Sequence, residues 1–151
     1  MLYDDDALAG NVNPMIPGEE EKLIAELKYL LGMEIPVVAS CNRVSARDGH
    51  FVSCGVEVEK ETSVEEVLRL MNIPTLDLPS SPDQVNNIIE DSPNREDHLW
   101  IGQGMTTTVG NIRVDGNIIR FDALSHNTVR GAAGGVILLA EFAVKESYIT
   151  K

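Results

Sequence analysis

Apolar positions change from a helical period to a strand period along the chain, and this change predicts the secondary structure. In residues 19–31 the apolar side chains recur every three or four positions, at Leu23, Ile24, Leu27, Leu30 and Leu31. This spacing predicts a helix with one buried stripe. Three glutamates occupy its first turn, where the helix dipole favours negative charge, and Gly32 is placed to end it as a left-handed cap.

Two strand-like segments follow, with a polar loop between them. Residues 35–44 are rich in β-forming side chains, and residues 51–59 alternate between apolar and polar side chains. Because the loop at 45–49 is polar and ends in Asp-Gly, a hairpin of these two segments is the simplest prediction. Downstream, Ser63-Val64-Glu65-Glu66 resembles a capping box and predicts a second short helix that ends near residue 73.

The second half of the chain mixes strand and helix signals. Residues 74–97 are rich in Pro, Ser, Asp and Asn and predict an extended excursion with a short strand at 87–89. Asp115-Gly116 is the strongest hairpin signal, between strands at 106–114 and 117–124. Without a regular βαβ alternation, these elements predict an α+β fold with a mixed, mostly antiparallel sheet and helices on one face.

The final helix, predicted to begin at an Asn127 or Thr128 cap and to run to about residue 145, is unusually apolar. Gly131, Gly134 and Gly135 each cost about 1 kcal/mol relative to alanine inside a helix. Glycine is tolerated there when a neighbouring backbone or ligand must approach closely. Because the rest of the chain is too small to cover this helix, we infer a missing partner surface from another domain or subunit.

Charge and composition exclude several function classes. The 151 residues carry a formal net charge of −12, which repels nucleic acid and anionic membrane. No apolar run is long enough for a membrane helix, and no signal peptide is recognisable, so a cytoplasmic protein is expected. The two cysteines and three histidines lack metal-ligand spacing, which predicts free buried thiols and no metal site.

Arg43 and His50 are the candidate chemical groups that the residues themselves indicate. A guanidinium can hold a carboxylate in two-point contact, and histidine is the side-chain type that titrates nearest to neutrality. In one pocket the two would bind an acidic substrate and move its proton. The alternative is a surface arginine and a turn histidine, and a one-residue slip of the predicted hairpin would separate them.

Four segments, taken together, resemble aspartate-semialdehyde dehydrogenase of the archaeal and fungal branch. They are Asn13-Pro-Met-Ile-Pro-Gly-Glu-Glu-Glu-Lys22, Ser40-Cys-Asn-Arg-Val44 with Asp48-Gly-His50, Gly104-Met105 with Val109-Gly-Asn-Ile-Arg113, and Leu124-Ser-His-Asn-Thr-Val-Arg-Gly-Ala-Ala-Gly-Gly135. The resemblance implies the C-terminal domain of a glyceraldehyde-3-phosphate dehydrogenase-like fold. It also implies 13–126 as a substrate-binding and dimerisation domain, and 127–151 as a helix packing on a nucleotide-binding domain outside this chain. Residues 1–12, with three consecutive aspartates and no clear period, are expected to be a disordered or artificial lead.

The resemblance also implies a role for each candidate residue in the reversible phosphorylating oxidation of L-aspartate 4-semialdehyde with NADP. Arg43 would bind the substrate carboxylate, and His50 would be the acid–base residue. Glu19 would lie near the substrate amino group, and Lys22 near phosphate. Asn127 would reach the nicotinamide end of NADP. The alternatives are an ordinary surface ion pair for Glu19 and Lys22 and a helix cap for Asn127.

Two features depart from the complete enzyme. The chain has no nucleotide-binding fingerprint, and neither Cys41 nor Cys54 matches the family nucleophile, so the chain by itself is expected to be inactive. The alternatives are a malonyl-CoA-type reductase of the same architecture, or a non-catalytic module for dimerisation or small-acid binding. A homo-oligomer, dimer or tetramer, is implied, with no nucleic-acid or membrane partner.

Overall fold

The computed structural model describes residues 12–13 and 16–149. These residues fall into two compact units that divide between Arg47 and Asp48. Of the predicted lead at 1–12, residues 1–11 lie outside the described residues, and Val12 belongs to a strand.

The first unit contains one helix and two very short strands. Strand β1 (Val12–Asn13) pairs antiparallel with β2 (Arg43–Val44). Helix α1 (Glu19–Leu31) has the predicted limits, and Gly32 ends it at φ 63° with its N–H donated to the carbonyl of Lys28. The predicted buried stripe is wrong, because no residue of α1 is buried and a ladder of two residue pairs is too small to cover it.

The second unit is built on a four-stranded sheet with the order β3-β6-β5-β4. Its strands are β3 (His50–Glu57), β4 (Asn86–Ile88), β5 (Thr107–Asp115) and β6 (Ile118–Ser125). The three longer strands pair antiparallel, and β4 runs parallel to β5. The helices are α2 (Val64–Met71), α3 (Arg95–His98) and α4 (Gly134–Lys145). The α+β class with a mixed, mostly antiparallel sheet is therefore confirmed.

The predicted hairpin between residues 35–44 and 51–59 is wrong. Strand β3 pairs with β6 along its whole length, from His50 opposite Ser125 to Glu57 opposite Ile118. Only two residues of the earlier segment form a strand, and they pair with β1. Pro36 in that segment has no N–H to donate, whereas β6 offers a partner of matching length.

Three other predicted elements, each with a local sequence signal, are present in the structure. The Asp115-Gly116 turn joins β5 to β6, with Gly116 at φ 60°. Ser63 caps α2 by accepting from the backbone N–H of Glu66 at 3.3 Å. The short strand predicted at 87–89 is β4, one residue earlier.

The entry into α4 differs from its prediction. A π-helical turn at Val129–Ala133 precedes the α-helix; Thr128 occupies its N-cap position, but neither Thr128 nor Asn127 makes a side-chain cap hydrogen bond there. Instead Nδ1 of His126 accepts from the backbone N–H of Val129 at 3.4 Å.

The close approach expected at the glycines is confirmed at Gly134, where a Cβ would collide with the Met105 sulfur, whereas Gly131 has only ordinary contacts.

The core of the second unit is small and contains several polar side chains. Its buried apolar residues are Val67, Leu99, Met105, Val109 and Leu124. His126 is 1% exposed and lies edge-on to Trp100, with 4.3 Å between ring centroids. The ring of His126 is therefore packed inside the second unit.

Asp122 joins three segments of the second unit. Its carboxylate is 8% exposed and accepts hydrogen bonds from Ser53 on β3 (2.7 Å), Ser92 before α3 (2.6 Å) and Asn111 on β5 (2.7 Å). Donors from Asn111 and Ser92, followed by Ser53 and the charge of Arg113, hold the pKa of Asp122 below its usual range against the opposing effect of burial.

Replacing this carboxylate should therefore destabilise the fold. We expect Asp122→Asn to lower the free energy of unfolding by about 1–3 kcal/mol, because it removes a charged acceptor that three donors share. Urea unfolding at pH 7 measures the loss, with the exposed Asp83→Asn as the matched control. An Asp122→Asn protein as stable as Asp83→Asn would contradict the role.

The same carboxylate predicts a pH dependence. A group whose pKa is lowered by folding contributes stability that is fully present above its unfolded value of about 3.9 and is lost as pH falls through the lower folded value. The stability difference between the wild-type chain and Asp122→Asn should therefore shrink as pH falls from about 5 to about 2.

Candidate functional site

The Asp48–Gly49 peptide, one residue before His50, is held by the side chain of Asn127, which follows the end of β6. The backbone N–H of Gly49 donates to Oδ1 of Asn127 at 2.8 Å, across 78 positions of sequence. Gly49 has φ 108°, a conformation that favours glycine, and a Cβ there would lie 3.1 Å from a methyl group of Leu99. The predicted cofactor contact and the predicted acid–base residue are thus neighbours.

His50 itself is exposed and begins β3. It pairs with Ser125, the last residue of β6, so it stands at the end of the sheet where the chain turns towards α4. The hydroxyl of Thr107 on β5 donates to the Ser125 hydroxyl at 3.4 Å. This end of the sheet therefore carries an imidazole and two hydroxyls on three neighbouring strands.

The predicted substrate residues lie in the first unit. Arg43 is half-buried on β2 and pairs with Asn13 of β1. Glu19 and Lys22 form the expected i,i+3 ion pair on α1 at 4.0 Å, and about half of each side chain is exposed. An exposed pair at this distance contributes little to stability.

One residue that organises this unit was missed from the sequence. The carboxylate of Glu20 accepts from the backbone N–H of Cys41 at 2.9 Å. This bond ties the first turn of α1 to the segment that leads into Arg43. No sequence motif signals this bond, because any residue type except proline supplies a backbone N–H.

The structure thus brings the predicted residues together in two sets. Glu19 and Lys22 meet within the first unit, where Glu20 links α1 to the Arg43 segment. The second unit brings His50 beside Asn127. The convergence of Arg43 and His50 on one ligand stays a prediction.

The surroundings of Cys54 do not activate its thiol as a nucleophile. Cys41 and Cys54 are both free thiols, as predicted, but each is half-buried where a buried thiol was predicted. Burial first, and then the negative charge of Asp122, raise the pKa of the Cys54 thiol, which disfavours the reactive thiolate. This agrees with the expected packing role of Cys54 on β3.

The described residues contain no candidate metal cluster and no helix that could span a membrane. No group of three or more His, Cys, Asp or Glu side chains in residues 12–13 and 16–149 is placed to hold a metal ion. Within that same part of the chain, no helix is long and apolar enough to cross a bilayer.

Comparison with known proteins decides the family. Residues 5–130 match the model of the semialdehyde dehydrogenase dimerisation domain. The chain belongs to this family. The sequence resemblance to aspartate-semialdehyde dehydrogenase is therefore confirmed at the level of the domain.

Individual proteins similar to this chain support the same family assignment. An aspartate-semialdehyde dehydrogenase of Archaeoglobus fulgidus is 43% identical over 157 residues, covering 95% of this chain and 46% of the relative. The crystal structure of the Candida albicans enzyme with NADP superposes with a TM-score of 0.84 at 32% identity, covering 97% of this chain and 48% of that one. A malonyl-CoA reductase (NADP) of Metallosphaera sedula is 30% identical over 95% of the chain. The chain spans about half the length of the curated relatives it matches.

The raised pKa of Cys54 predicts slow alkylation. In a Cys41→Ser variant, the iodoacetamide reaction of Cys54 should rise with pH about a midpoint above that of free cysteine, about 8.5. Adding Asp122→Asn should lower this midpoint, because it removes the neighbouring negative charge. Rapid alkylation of Cys54 at neutral pH would contradict this assignment and would mark the thiol as activated.

Proposed function

We propose that this domain is the substrate-binding and dimerisation part of an NADP-dependent aspartate-semialdehyde dehydrogenase. The reaction is the reversible phosphorylating oxidation of L-aspartate 4-semialdehyde to 4-phospho-L-aspartate, with the nucleophilic cysteine supplied by a nucleotide-binding part. A cytoplasmic location belongs to the same proposal.

The hydrogen bond between Gly49 and Asn127 is the observation that supports this proposal most directly. Asn127 and His50 were assigned to the cofactor and to proton transfer separately, from motifs far apart in the sequence. In the fold, Asn127 accepts from the backbone N–H of Gly49, the residue before His50, at 2.8 Å. Hydride and proton transfer act on one substrate carbon and its oxygen, so their residues must be adjacent.

The available atoms of Asn127 fit the nicotinamide end of NADP. Its Oδ1 already accepts from Gly49, so the amide hydrogens on Nδ2 are the atoms that can bind a ligand, and they suit a carboxamide oxygen. When bound, NADP supplies the acceptor for hydride. Asn127 would orient that end of the cofactor, and His50 would take the proton from the substrate oxygen as hydride leaves.

The remaining candidates suit an acidic substrate. Arg43 would bind the carboxylate of the semialdehyde in two-point contact. Lys22 would attract phosphate, and Glu19, its partner on α1, would bind the substrate amino group. In a protein of net charge −12, cationic side chains at one place concentrate anionic ligands there.

A malonyl-CoA-type reductase is the second candidate, because the Metallosphaera relative carries that name. Glu19 favours the semialdehyde, since the malonyl group of malonyl-CoA carries no ammonium group for a carboxylate to bind. Turnover with each substrate distinguishes the two candidates directly.

We further propose that α4 packs on the nucleotide-binding part and that the chain forms a homo-oligomer through its sheet. Val136 and Leu139 of α4 are 66% and 65% exposed. On β3, an edge strand of the sheet, Phe51 and Val52 are about half exposed. Apolar area of this extent favours burial against another protein surface.

The enzymatic proposal predicts activity in a joined polypeptide. This chain is fused to the part of the Archaeoglobus fulgidus relative that it does not match, and semialdehyde, NADP and phosphate are supplied. We expect turnover from the fusion and none from the chain by itself. His50→Gln should lower kcat by about 10²- to 10⁴-fold, as expected for loss of an acid–base group.

Arg43→Met in the same fusion should raise KM for the semialdehyde by about 10- to 100-fold. The reason is that the charged hydrogen bond from Arg43 to the carboxylate of the semialdehyde is lost. Arg69→Met, which removes an exposed arginine of α2, is the matched control. A folded fusion that binds NADP without oxidising the semialdehyde would refute the proposed reaction and favour the non-catalytic module. Preference for malonyl-CoA would favour the second candidate.

The packing of α4 gives a separate prediction. Val136→Lys with Leu139→Lys should prevent association of this chain with the separately produced nucleotide-binding part, because two charges would then be buried without partners. Analytical ultracentrifugation measures association, and Ile73→Lys after α2, also exposed and apolar, is the control. Unchanged association of the double variant would contradict the packing of α4.

A further inference from the structure

A single peptide group in front of His50 is held at both of its ends. The carbonyl oxygen of Asp48 accepts from Nε of Arg95 at 2.8 Å. The N–H of the same peptide, which belongs to Gly49, donates to Oδ1 of Asn127 at 2.8 Å. The two side chains come from α3 and from the segment after β6, so three distant parts of the sequence meet at the Asp48–Gly49 peptide group.

Both hydrogen bonds act on one rigid plane. Because the peptide group is planar, fixing its oxygen and its N–H fixes the direction in which the chain leaves it. Gly49 continues at φ 108°, and methyl groups of Leu99 and Leu124 lie 3.1 Å and 3.5 Å from the position where a Cβ would be. The next residue is His50.

His50 is therefore placed by constraints on two sides. Pairing with Ser125 holds it from the sheet, and the fixed peptide holds it from the preceding residue. An exposed imidazole at a strand end would otherwise share the fraying of that end. Proton transfer requires such a group within hydrogen-bond reach of the reacting oxygen.

The two anchors are themselves well supported. Arg95 is the first residue of α3, and Asn94 caps that helix by accepting from the N–H of Asp97 at 2.9 Å. Asn127 lies between the end of β6 and the π-helical turn, next to the buried His126. Neither anchor is therefore at the end of a loose loop.

The guanidinium of Arg95 also lies 3.8 Å from the Asp48 carboxylate, as a surface ion pair, and the side chain is 46% exposed. Such a pair contributes little. The bond from Nε to the backbone carbonyl is shorter and directional, and it is independent of the charge on Asp48.

We propose that Arg95 and Asn127 are positioning residues that hold the Asp48–Gly49 peptide and thereby place His50 for proton transfer. This inference rests on the proposed acid–base role of His50. Asn127 then has two separate roles, because its Oδ1 binds the peptide N–H and its Nδ2 binds the cofactor. Arg95 only binds the peptide carbonyl, and its side chain contacts neither substrate nor cofactor.

Hydrogen exchange of the Gly49 amide tests the contact without any activity. In this chain, Asn127→Ala should speed that exchange by about two- to tenfold, the equivalent of one net hydrogen bond. Asn127→Asp keeps an oxygen at the acceptor position and should restore protection. Unchanged exchange in Asn127→Ala would overturn the proposal.

Kinetics of the fused polypeptide test the placement of His50. Arg95→Met should lower kcat by about 10- to 100-fold, as expected for a displaced catalytic group, with KM for semialdehyde and for NADP within about twofold of wild type. Arg95→Lys keeps the charge without the planar Nε–H and should also lower kcat. This second variant provides the test if Arg95→Met does not fold. Arg69→Met should leave both constants unchanged.

The two proposals fail in different ways. A fusion without activity refutes the enzymatic proposal and with it the role of Arg95 in proton transfer, while the exchange rates still report whether Asn127 holds the peptide. An active fusion in which folded Arg95→Met and Arg95→Lys keep kcat within about twofold refutes the positioning role alone. A fall in kcat with unchanged KM, together with rescue of Gly49 protection by Asn127→Asp, supports it.

Discussion

The continuous pairing of β3 with β6 is the constraint on which the second unit depends. Eight consecutive residue pairs leave no freedom of register, and a shift of one residue would turn every side chain of β3 to the opposite face. The pairing places His50 opposite Ser125, and two residues later Asn127 reaches back to Gly49. The same register sets Ser53 opposite Asp122, where the buried carboxylate accepts its bond. One ladder therefore aligns both the candidate site and the polar core.

That core shows how a small unit compensates for limited apolar burial. Five apolar side chains are buried, and Asp122, His126, Thr106 and Thr108 are buried among them. Buried polar groups stabilise a fold only when their hydrogen bonds are made, and Asp122 meets this condition with three donors. Many large apolar residues remain exposed on α1, α4 and β3, which is the pattern of a domain shaped for contact with other protein surfaces.

Sequence reasoning succeeded where the signal was local and failed where pairing was distant. The limits of α1, the Asp115-Gly116 turn and the Ser63 cap depend on neighbours within a few residues, and all three were predicted. The hairpin of residues 35–44 with 51–59 was wrong because proximity in sequence was taken for proximity in the sheet.

The same limit applies to the candidate site. The expected cap at Asn127 failed because its side-chain oxygen is engaged 78 positions upstream. Glu20 and Arg95 were missed because each binds a backbone atom, and backbone atoms leave no mark in the sequence. The family motifs identified His50 and Asn127, but only the fold shows that Asn127 binds the N–H of Gly49, the residue before His50.

The π-helical turn at Val129–Ala133 has a consequence for insertions and deletions. A π turn holds one residue more than an α turn, so deleting a single residue there would allow an ordinary helix to form. Every side chain of α4 would then rotate by about 100° about the helix axis. Gly134 would swing away from the Met105 sulfur and a bulkier residue would take its place, so the length of this short segment is under a tighter constraint than its composition.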